Sequence, residues 1–444
     1  MRVLVLGNGG REHSLVWKLA QSPEVEKICS IPSSDAMFEI NNYVGIDGFG
    51  VLDFEPIVET VQDLGIDLTV VGPEAPLVEG IGDVWEAKGL KEKGHYLFGP
   101  SKEAAKLEGS KIFARHFMNS QGIPQPRFVE FFNASEAKSR AHYCHNEWDG
   151  VVVKADGLAA GKGVRVCDTL EDTLKAIQEI MVDKVHGDAG DRILLEQKLI
   201  GEEASYIVLC DGKNFVQLLP SQDHKQAYDN DKGPMTGGMG AFAPARLITP
   251  EIEVRIIKEI VEPTVTGMAE KGIPYIGAMY FGLMITEQGP KVLEINCRFG
   301  DPETQPLMAL LKSDLATVLY KAAQGSLEDA RLEWDSRTAV TVVLATKGYP
   351  KDYKANTGNK ITLPDLARDN VHIFHSGTEI EMDQDYYINS GGRVLSVTAV
   401  ADNLSSARNL AYSLIGPHKG GVYFEGMHYR KDIGAKGIKH EPPN

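Results

Sequence analysis

The sequence predicts a multidomain protein that combines α/β and α+β folds, and three observations support this fold class. The chain has 444 residues, which is enough for roughly three domains. In about the first hundred residues, short apolar strands alternate with helical segments, which indicates a parallel sheet with ligand sites at the carboxyl ends of its strands. From about residue 335 onwards, short strands and one helix over 404–415 predict an α+β C-terminal domain.

Composition and charge limit the functions that the chain can have. The sequence is 43% hydrophobic and 24% charged, which is typical of a globular protein with a substantial core. It has no apolar run near the roughly 20 residues that a membrane-spanning helix needs, and its N-terminus lacks the pattern of a signal peptide. We therefore expect a cytoplasmic protein without a membrane partner. The net charge of −16 argues against a nucleic-acid partner, because nucleic-acid surfaces need basic patches.

The N-terminal segment is predicted to begin with a strand over 2–6, the glycine turn Gly7–Gly10 and a helix over about 13–21. Such a turn is similar to a dinucleotide-binding motif, but Glu12 occupies the position of the third glycine. A dinucleotide cofactor is therefore disfavoured. The next elements are predicted to be a strand over 27–31, a helix over 57–64 and a strand over 67–72.

The stretch VVVKADGLAAGKGVRV (151–166) is rich in glycine and lies between two strand-like segments. It does not fit a Walker A loop, because only three residues separate its first glycine from Gly161 and because Gly163 stands where Ser or Thr should bind magnesium. The flanking strands predict an antiparallel hairpin whose glycines allow close approach to phosphate groups, with positive charge from Lys154 and Lys162. An ordinary glycine-rich hairpin is the alternative, and this stretch alone favours neither interpretation.

The stretch VLEINCRFGDPE (292–303) is the sharper candidate. In a strand, alternate residues share a face, so Glu294, Asn296 and Arg298 are predicted to lie side by side. The first two offer hard oxygen ligands that suit magnesium bound to phosphates, and the arginine suits a transferring phosphoryl group or an acyl oxygen. The alternative is a half-exposed strand with a polar outer face. The unusual order of these side chains favours the site.

Two polar stretches are weaker candidates for substrate contacts. In LEQKLIGEEAS (195–205), the backbone from Glu196 to Leu199 suits an adenine edge and the Glu203 carboxylate suits ribose hydroxyls, although an acidic surface turn is the alternative. The stretch SQDHKQAYDNDKGPMTGGMG (221–240) is long and lacks apolar periodicity, which is more typical of a substrate loop than of a solvated connection.

These features together resemble the ATP-grasp superfamily and, within it, the phosphoribosylamine–glycine ligase family. The resemblance covers nearly the whole chain, and its blocks follow the family's order: GNGGREH (7–13), GPEAPL (72–77), KADGLAAGKGV (154–164), SQDHK (221–225), TGGMGA (236–241), NCRFGDPETQ (296–305) and SGGRVL (390–395). Three departures stand out. PSSDAM (32–37) replaces the family's Pro-Gly-Asn-x-Gly loop, Met235 replaces an asparagine, and the strand AMYFGLMI (278–285) offers no carboxylate as a further metal ligand.

The resemblance implies an ATP-dependent carbon–nitrogen ligase of de novo purine biosynthesis that uses Mg²⁺ or Mn²⁺. The carboxylate of glycine would attack the γ-phosphate of ATP to form glycyl phosphate and ADP, and 5-phosphoribosylamine would then displace phosphate to give glycinamide ribonucleotide. The implied architecture is an N-terminal parallel α/β (pre-ATP-grasp) substrate domain at 1–107, an ATP-grasp domain at 108–325 with a mobile lid at about 124–195, an α+β domain at 326–432 and a tail at 433–444. We expect a monomer or a small homo-oligomer.

The resemblance also implies roles for single residues. ATP would be bound by Lys111, Lys154, Gly161, Lys162, Gly163, Glu196, Leu199 and Glu203. The metal would be held by Glu294 and Asn296, and the catalytic residues would be Arg298 and Lys154. The substrates would be bound by Gly9, Gly10, Asp223, Lys225 and Asp301. Of these, the glycines would face the 5-phosphate of phosphoribosylamine, and the two aspartates would face the amino group of glycine.

Three other functions stay open at this point. Another ATP-grasp ligase or a carboxylase would use a different acid and amine, and bicarbonate-dependent turnover would indicate it. A nucleotide-binding regulator would bind ATP without turnover, although the intact Lys154, Glu294, Asn296 and Arg298 argue against that reading. A dehydrogenase is the least favoured, because of Glu12.

Overall fold

The N-terminal part of the chain is a parallel sheet flanked by helices. The computed structural model describes residues 1–158, 163–365, 368–381, 384–418 and 420–441. The N-terminal elements are β1 (Arg2–Leu6), α1 (Gly10–Leu19), β2 (Lys27–Ile31), a 3₁₀ turn (Asp35–Glu39), β3 (Tyr43–Gly45), α2 (Phe54–Leu64), β4 (Leu68–Val71), α3 (Glu74–Glu79), α4 (Ile81–Ala87), a 3₁₀ turn (Lys91–Lys93) and β5 (Tyr96–Phe98). The strand order β3-β2-β1-β4-β5 places the turns after β1 and β4 at the same edge of the sheet.

Local sequence explains where two of these helices begin and end. Helix α2 buries Ile57, Val58 and Val61 and ends at Gly65, whose φ of 60° is a left-handed conformation that glycine adopts without strain. Helix α1 begins at Gly10, earlier than the predicted start near residue 13. The reason is a side-chain cap, in which the Glu12 carboxylate accepts the Gly9 N–H at 2.9 Å and so stabilises the first turn within the glycine run.

The following part forms a separate antiparallel sheet. Its elements and the helices before it are α5 (Lys102–Gly109), α6 (Lys111–Ser120), β6 (Phe128–Phe131), α7 (Ala134–Trp148), β7 (Val151–Ala155), β8 (Val164–Cys167), α8 (Leu170–Ile177), a π-helical turn (Gln178–Val182), a 3₁₀ turn (Gly187–Gly190) and β9 (Ile193–Gln197). The strand order is β6-β9-β7-β8. Strands β7 and β8 pair antiparallel on either side of the glycine-rich stretch. The sheet and α7 share a small core that includes Ala141, Trp148 and Val153.

A second antiparallel sheet forms the body of the molecule. The elements of this part are β10 (Glu202–Asp211), β11 (Phe215–Gln217), β12 (Gln222–Asp223), β13 (Gln226–Tyr228), β14 (Lys232–Met235), β15 (Gly240–Ala243), α9 (Pro250–Ile256), a π-helical turn (Ile257–Val261), α10 (Glu262–Glu270), β16 (Ile276–Thr286), β17 (Gly289–Asn296), α11 (Thr304–Leu310) and α12 (Leu315–Gln324). The sheet has the order β11-β10-β16-β17. Side chains along its strands point alternately to two buried faces, with Tyr206 and Phe281 on one face and Ile207 and Tyr280 on the other.

The C-terminal part adds β18 (Thr338–Ala345), a 3₁₀ turn (Lys354–Asn356), β19 (Val371–His375), β20 (Thr378–Ile380), β21 (Tyr387–Asn389), β22 (Arg393–Ala401), α13 (Leu404–Ser413) and a 3₁₀ turn (Ala435–His440). Its main sheet has the order β12-β15-β18-β22-β19. Strands β12 and β15 lie within the segment 108–325 yet pair into this sheet. The segment 108–325 therefore contributes strands to the β11-β10-β16-β17 sheet and also to the C-terminal sheet. Its predicted end at 325 is not a boundary between these two sheets.

Both ends of the chain are tied to other parts of the molecule. The rings of Trp17 in α1 and His372 in β19 lie 4.5 Å apart. The ring of His13 accepts the backbone N–H of His375 at 3.1 Å. The predicted tail is packed as far as residue 441, because Ile433 is fully buried and Glu202 forms ion pairs with the basic side chains of the last 3₁₀ turn. Within the described residues, no helix combines the length and the apolar character needed to cross a bilayer.

Candidate active site

A cavity of about 740 Å³ is lined by the β6-β9-β7-β8 sheet, the β11-β10-β16-β17 sheet, the N-terminal part and the C-terminal part, and it collects most of the predicted site residues. Those that line it are Lys111, Lys154, Gly163, Glu196, Leu199, Glu203, Asp223, Lys225, Glu294, Asn296, Arg298 and Asp301. Gly161 and Lys162 lie outside the described residues, so the structure places neither of them. Gly9 and Gly10 do not line the cavity.

Strand β17 presents the predicted metal ligands to the cavity. Lys225 Nζ lies 3.1 Å from Glu294 Oε1, and this ammonium, against the effect of burial, holds the pKa of Glu294 well below its usual value. Asn296 Oδ1 accepts a hydrogen bond from Arg298 at 3.3 Å, while Asn296 Nδ2 is buried with no partner among the described residues. Opposite Glu294 on β16 is Gly282, whose missing side chain leaves room for that carboxylate.

Arg298 is fixed between two carboxylates that come from different parts of the chain. Its Nε lies 3.4 Å from Glu74 and its Nη2 lies 3.3 Å from Glu108. Burial raises the pKa of Glu74, but Arg298 and Arg11 outweigh it and leave that pKa lowered. Burial prevails at Glu108, whose pKa is raised despite Arg298. The sequence signal for Glu74 was only its place in the GPEAPL block, and Glu108 lies three residues before the predicted ATP ligand Lys111.

The wall of the cavity around Lys154 and Glu196 contains a buried group of charges. Lys154 Nζ lies 2.9 Å from Glu196 Oε2 and donates to the Leu293 carbonyl at 2.8 Å. The other partner of Glu196 is Arg115, at 2.6 Å, which the sequence reading did not single out. Burial raises the pKa of Glu196, but Arg115 and Lys154 outweigh it and leave that pKa lowered. The Lys111 ammonium donates to the Gly157 carbonyl at 3.3 Å.

The predicted glycine-binding side chains fall into two environments. Asp223 has a pKa raised to about 8, because burial and the nearby Glu303, Glu203 and Glu294 outweigh Lys225. Asp301 instead accepts from Arg393 at 2.5 Å and from Gln305 at 3.0 Å. Its carboxylate is thus already held by a cation.

Lys225 is the cation at the centre of these acids. Burial lowers its pKa, but Glu294 and Asp223 raise it well above the usual value for lysine. The side chain therefore stays charged and neutralises part of the cavity's acidic wall.

The glycine turn, where a phosphate contact of Gly9 and Gly10 was predicted, makes close contacts within the protein. The N–H of Gly9 is taken by the Glu12 carboxylate, which Arg11 Nε holds at 2.6 Å. A Cβ on Gly10 would lie 2.6 Å from Ser376 Oγ, so this glycine allows close packing against the C-terminal part. Glu12, at the position of the third glycine, therefore already accepts the Gly9 N–H, and the phosphate contact of these glycines stays a prediction.

Comparison with known proteins gives the same family along the whole chain. Family models described as Phosphoribosylglycinamide synthetase match as the N domain at residues 1–108, the ATP-grasp (A) domain at 109–304 and the C domain at 339–436. The phosphoribosylamine–glycine ligase of Ralstonia nicotianae is 46% identical over 441 residues, which cover 99% of this chain and 100% of that protein.

Solved structures agree with this result. A crystal structure of phosphoribosylamine–glycine ligase from Thermotoga maritima has a TM-score of 0.82 at 30% identity and covers 98% of this chain and 100% of that one. A biotin carboxylase from Campylobacter jejuni, with a TM-score of 0.71 at 17% identity over 100% of this chain and 95% of that one, shares the fold. The predicted family, fold class and enzyme class are confirmed, and the chain belongs to the phosphoribosylglycinamide synthetase family, whose central domain is an ATP-grasp domain.

Proposed function

We propose that this enzyme joins glycine to 5-phosphoribosylamine with the conversion of ATP to ADP and phosphate, and so makes glycinamide ribonucleotide for de novo purine biosynthesis. The observation that carries the proposal is the convergence of Lys111, Lys154, Glu294, Asn296 and Arg298 on one cavity. Relatives that carry the ligase name over their full length support it. An acid and an amine do not condense in water without activation, and this cavity has the charges that phosphoryl transfer requires.

ATP would lie between β7, β8 and β17. Lys111 and Lys154 would hold phosphate oxygens, Leu199 would lie beside the adenine and Glu203 would bond the ribose hydroxyls. Glu196 would contact the adenine through its backbone, because its carboxylate is already paired with Lys154 and Arg115. Gly161, Lys162 and Gly163 would contact the phosphates.

The donor set at β17 fits a divalent cation bound through a nucleotide. Among the described residues no group of three or more His, Cys, Asp or Glu side chains could hold a metal by itself. Glu294 and Asn296 supply one carboxylate and one amide oxygen, and Mg²⁺ is often held by one or two carboxylates together with substrate phosphates. When bound there, Mg²⁺ or Mn²⁺ would neutralise charge on the phosphate oxygens. The lowered pKa of Glu294 keeps its oxygens ionised for this role.

The acceptor side of the cavity would bind and activate glycine. Asp223, with the help of Lys225, would orient the amino group so that a carboxylate oxygen faces the γ-phosphorus of ATP. Asp301 is less suited to that ammonium, because Arg393 already occupies its carboxylate. Arg298, which Glu74 and Glu108 hold in place, would stabilise charge on the transferred phosphoryl group and then on the acyl oxygen.

Exclusion of water is the second requirement of this chemistry. Glycyl phosphate would be lost to hydrolysis in an open cavity, whereas closure of the hairpin would keep it for the amine. The amine nitrogen of phosphoribosylamine would then attack the carbonyl carbon, and phosphate would leave. We further propose that the enzyme works in the cytoplasm as a monomer or a small homo-oligomer, without nucleic acid or membrane.

Release of phosphate from ATP tests this function directly. We expect turnover only when glycine and phosphoribosylamine are both present, with loss of activity when either is omitted. Bicarbonate should not replace glycine. Equal rates without the amine, or turnover that depends on bicarbonate, would contradict the proposal and favour a carboxylase or another ligase of the same fold.

A further inference from the structure

Arg115 is a buried arginine that the proposed chemistry does not use. It lies on α6, one helical turn after Lys111, and its side chain extends beneath the nucleotide side of the cavity. Arg115 and Glu196 are each 2% exposed, and Lys154 is 6% exposed. A full positive charge in such a place needs a reason, because desolvation of an ion is strongly unfavourable unless partners compensate for it.

The hydrogen bonds of Arg115 use the whole guanidinium group. Nε donates to Glu196 Oε1 at 2.6 Å, and Nη2 donates to Glu196 Oε2 at 2.8 Å. The remaining donors reach the carbonyls of Val292 at 3.0 Å and Leu293 at 2.7 Å, and the amide oxygen of Gln125 at 3.3 Å. These five contacts match the five N–H donors of a guanidinium. A lysine could not reproduce them, because it offers a point charge without the planar fork.

We propose that Arg115 is a positioning residue for ATP, which acts on the nucleotide through Glu196 and Lys154. The carboxylate of Glu196 lies between two cations, so Arg115 offsets its negative charge and leaves the charge of Lys154 available to the phosphates. Lys154 donates to Glu196 and to the Leu293 carbonyl, which leaves one of its three N–H groups for the cavity. The inference rests on the proposed contact between Lys154 and ATP.

The same guanidinium also fixes two strands relative to each other. Glu196 belongs to β9 of the first antiparallel sheet, whereas Val292 and Leu293 belong to β17 of the second. Leu293 directly precedes Glu294. Arg115 therefore sets the distance between the lysine proposed for the phosphates and the carboxylate proposed for the metal.

Equilibrium binding of ATP in the presence of Mg²⁺, measured by calorimetry, tests the inference on the full chain. We expect R115M to weaken ATP binding by more than about tenfold, because Glu196 would then pair with Lys154 alone and cancel its charge. In the E196Q background, R115M should change the affinity by less than about threefold, since the residue acts through that carboxylate. R115K should bind ATP more weakly than the wild type, and it provides the same cycle with E196Q if R115M does not fold.

Arg430 supplies a matched control outside the cavity. It is fully buried and holds Asp432 with the same two-pronged geometry, at 2.8 and 2.7 Å. R430M should lower the melting temperature but leave the affinity for ATP unchanged. Wild-type affinity in R115M, or an equal loss of affinity from R115M in the wild-type and E196Q backgrounds, would overturn the inference.

The experiment separates this inference from the proposed function. If the wild type binds ATP but does not consume it with glycine and phosphoribosylamine, the proposed function fails while the coupling of Arg115 to Glu196 can still be measured. If R115M binds ATP as the wild type does, the inference fails and the ligase activity is untouched by that result.

Discussion

Gly282 provides a test of the proposed metal site that leaves its ligands in place. It lies on β16 directly opposite Glu294, and its neighbours at alternate positions, Tyr280 and Met284, both line the cavity. A Cβ at this position would lie 3.0 Å from Glu294 Cγ and 3.5 Å from its Oε1. Carbon atoms in contact prefer about 3.5–4.0 Å, so an alanine would push the glutamate side chain by roughly half an ångström and a valine would push it further.

Such a shift is large for a metal ligand, because Mg²⁺ accepts oxygens only near 2.0–2.1 Å, with a tolerance of about 0.2 Å. We expect G282A to lower turnover about tenfold and G282V about a hundredfold, in line with the effect of misplacement by about 1 Å in other enzymes. Both should raise the Mg²⁺ concentration that gives half-maximal rate. The assay is a Mg²⁺ titration of the ADP release that depends on glycine and phosphoribosylamine.

The matched control is G50A, because a Cβ at Gly50 would meet only Asp53 Oδ2 at 3.7 Å. It should behave as the wild type in the same titration. A folded G282V enzyme with wild-type turnover and wild-type Mg²⁺ dependence would refute the reasoning, because it would show that displacement of Glu294 does not disturb the metal.

Three further predictions follow from the charges in the structure. The pKa of Asp223 is raised to about 8, and the ammonium group of glycine binds best to an ionised carboxylate, so the KM for glycine should fall as pH rises from 6.5 to 8. In D223N the KM should be high and independent of pH. A KM of D223N that still falls with pH would contradict this role of Asp223. Burial lowers the pKa of His13 to about 3 and of His375 to about 4, so their stabilising effect is complete above pH 6.5 and is lost as pH falls. Urea unfolding should therefore show a loss of about 1 kcal/mol per histidine between pH 7 and 5.5, with a smaller loss in H13N; equal losses in both proteins would be the contrary result. R298K should lower kcat by about a hundredfold or more with a small effect on the melting temperature, and a kcat within a few-fold of the wild type would remove Arg298 from the chemistry.

The sequence was most informative where all the residues of a candidate site lay within one short stretch of alternating side chains. Alternation along the stretch 292–303 predicted that Glu294, Asn296 and Arg298 lie together, and all three line the cavity. The parallel N-terminal sheet followed from the alternation of strands and helices, and the family followed from the order of the motif blocks. The hairpin around the glycine-rich stretch was also predicted from its flanking strands, which pair antiparallel.

Features that depend on contacts between distant residues could not be predicted in this way. Nothing in the local pattern shows that Glu12 folds back onto Gly9, because the glycine turn alone fits a bound anion equally well. Apart from Gln125, the partners of Arg115 lie 81 and 177 residues or more further along the chain, and an arginine within an amphipathic helix is usually taken for a surface residue. Strand β15 joins the C-terminal sheet through pairing with β18, which its own few residues do not encode.

The most direct test of the central claim is the fate of the carboxylate oxygen of glycine. If the carboxylate attacks the γ-phosphorus and the amine then displaces phosphate, glycine labelled with ¹⁸O in its carboxyl group must transfer one labelled oxygen to inorganic phosphate, with ADP as the other product. We expect that transfer in every turnover, dependent on phosphoribosylamine. Unlabelled phosphate, or the appearance of AMP in place of ADP, would contradict activation of glycine as an acyl phosphate in this cavity.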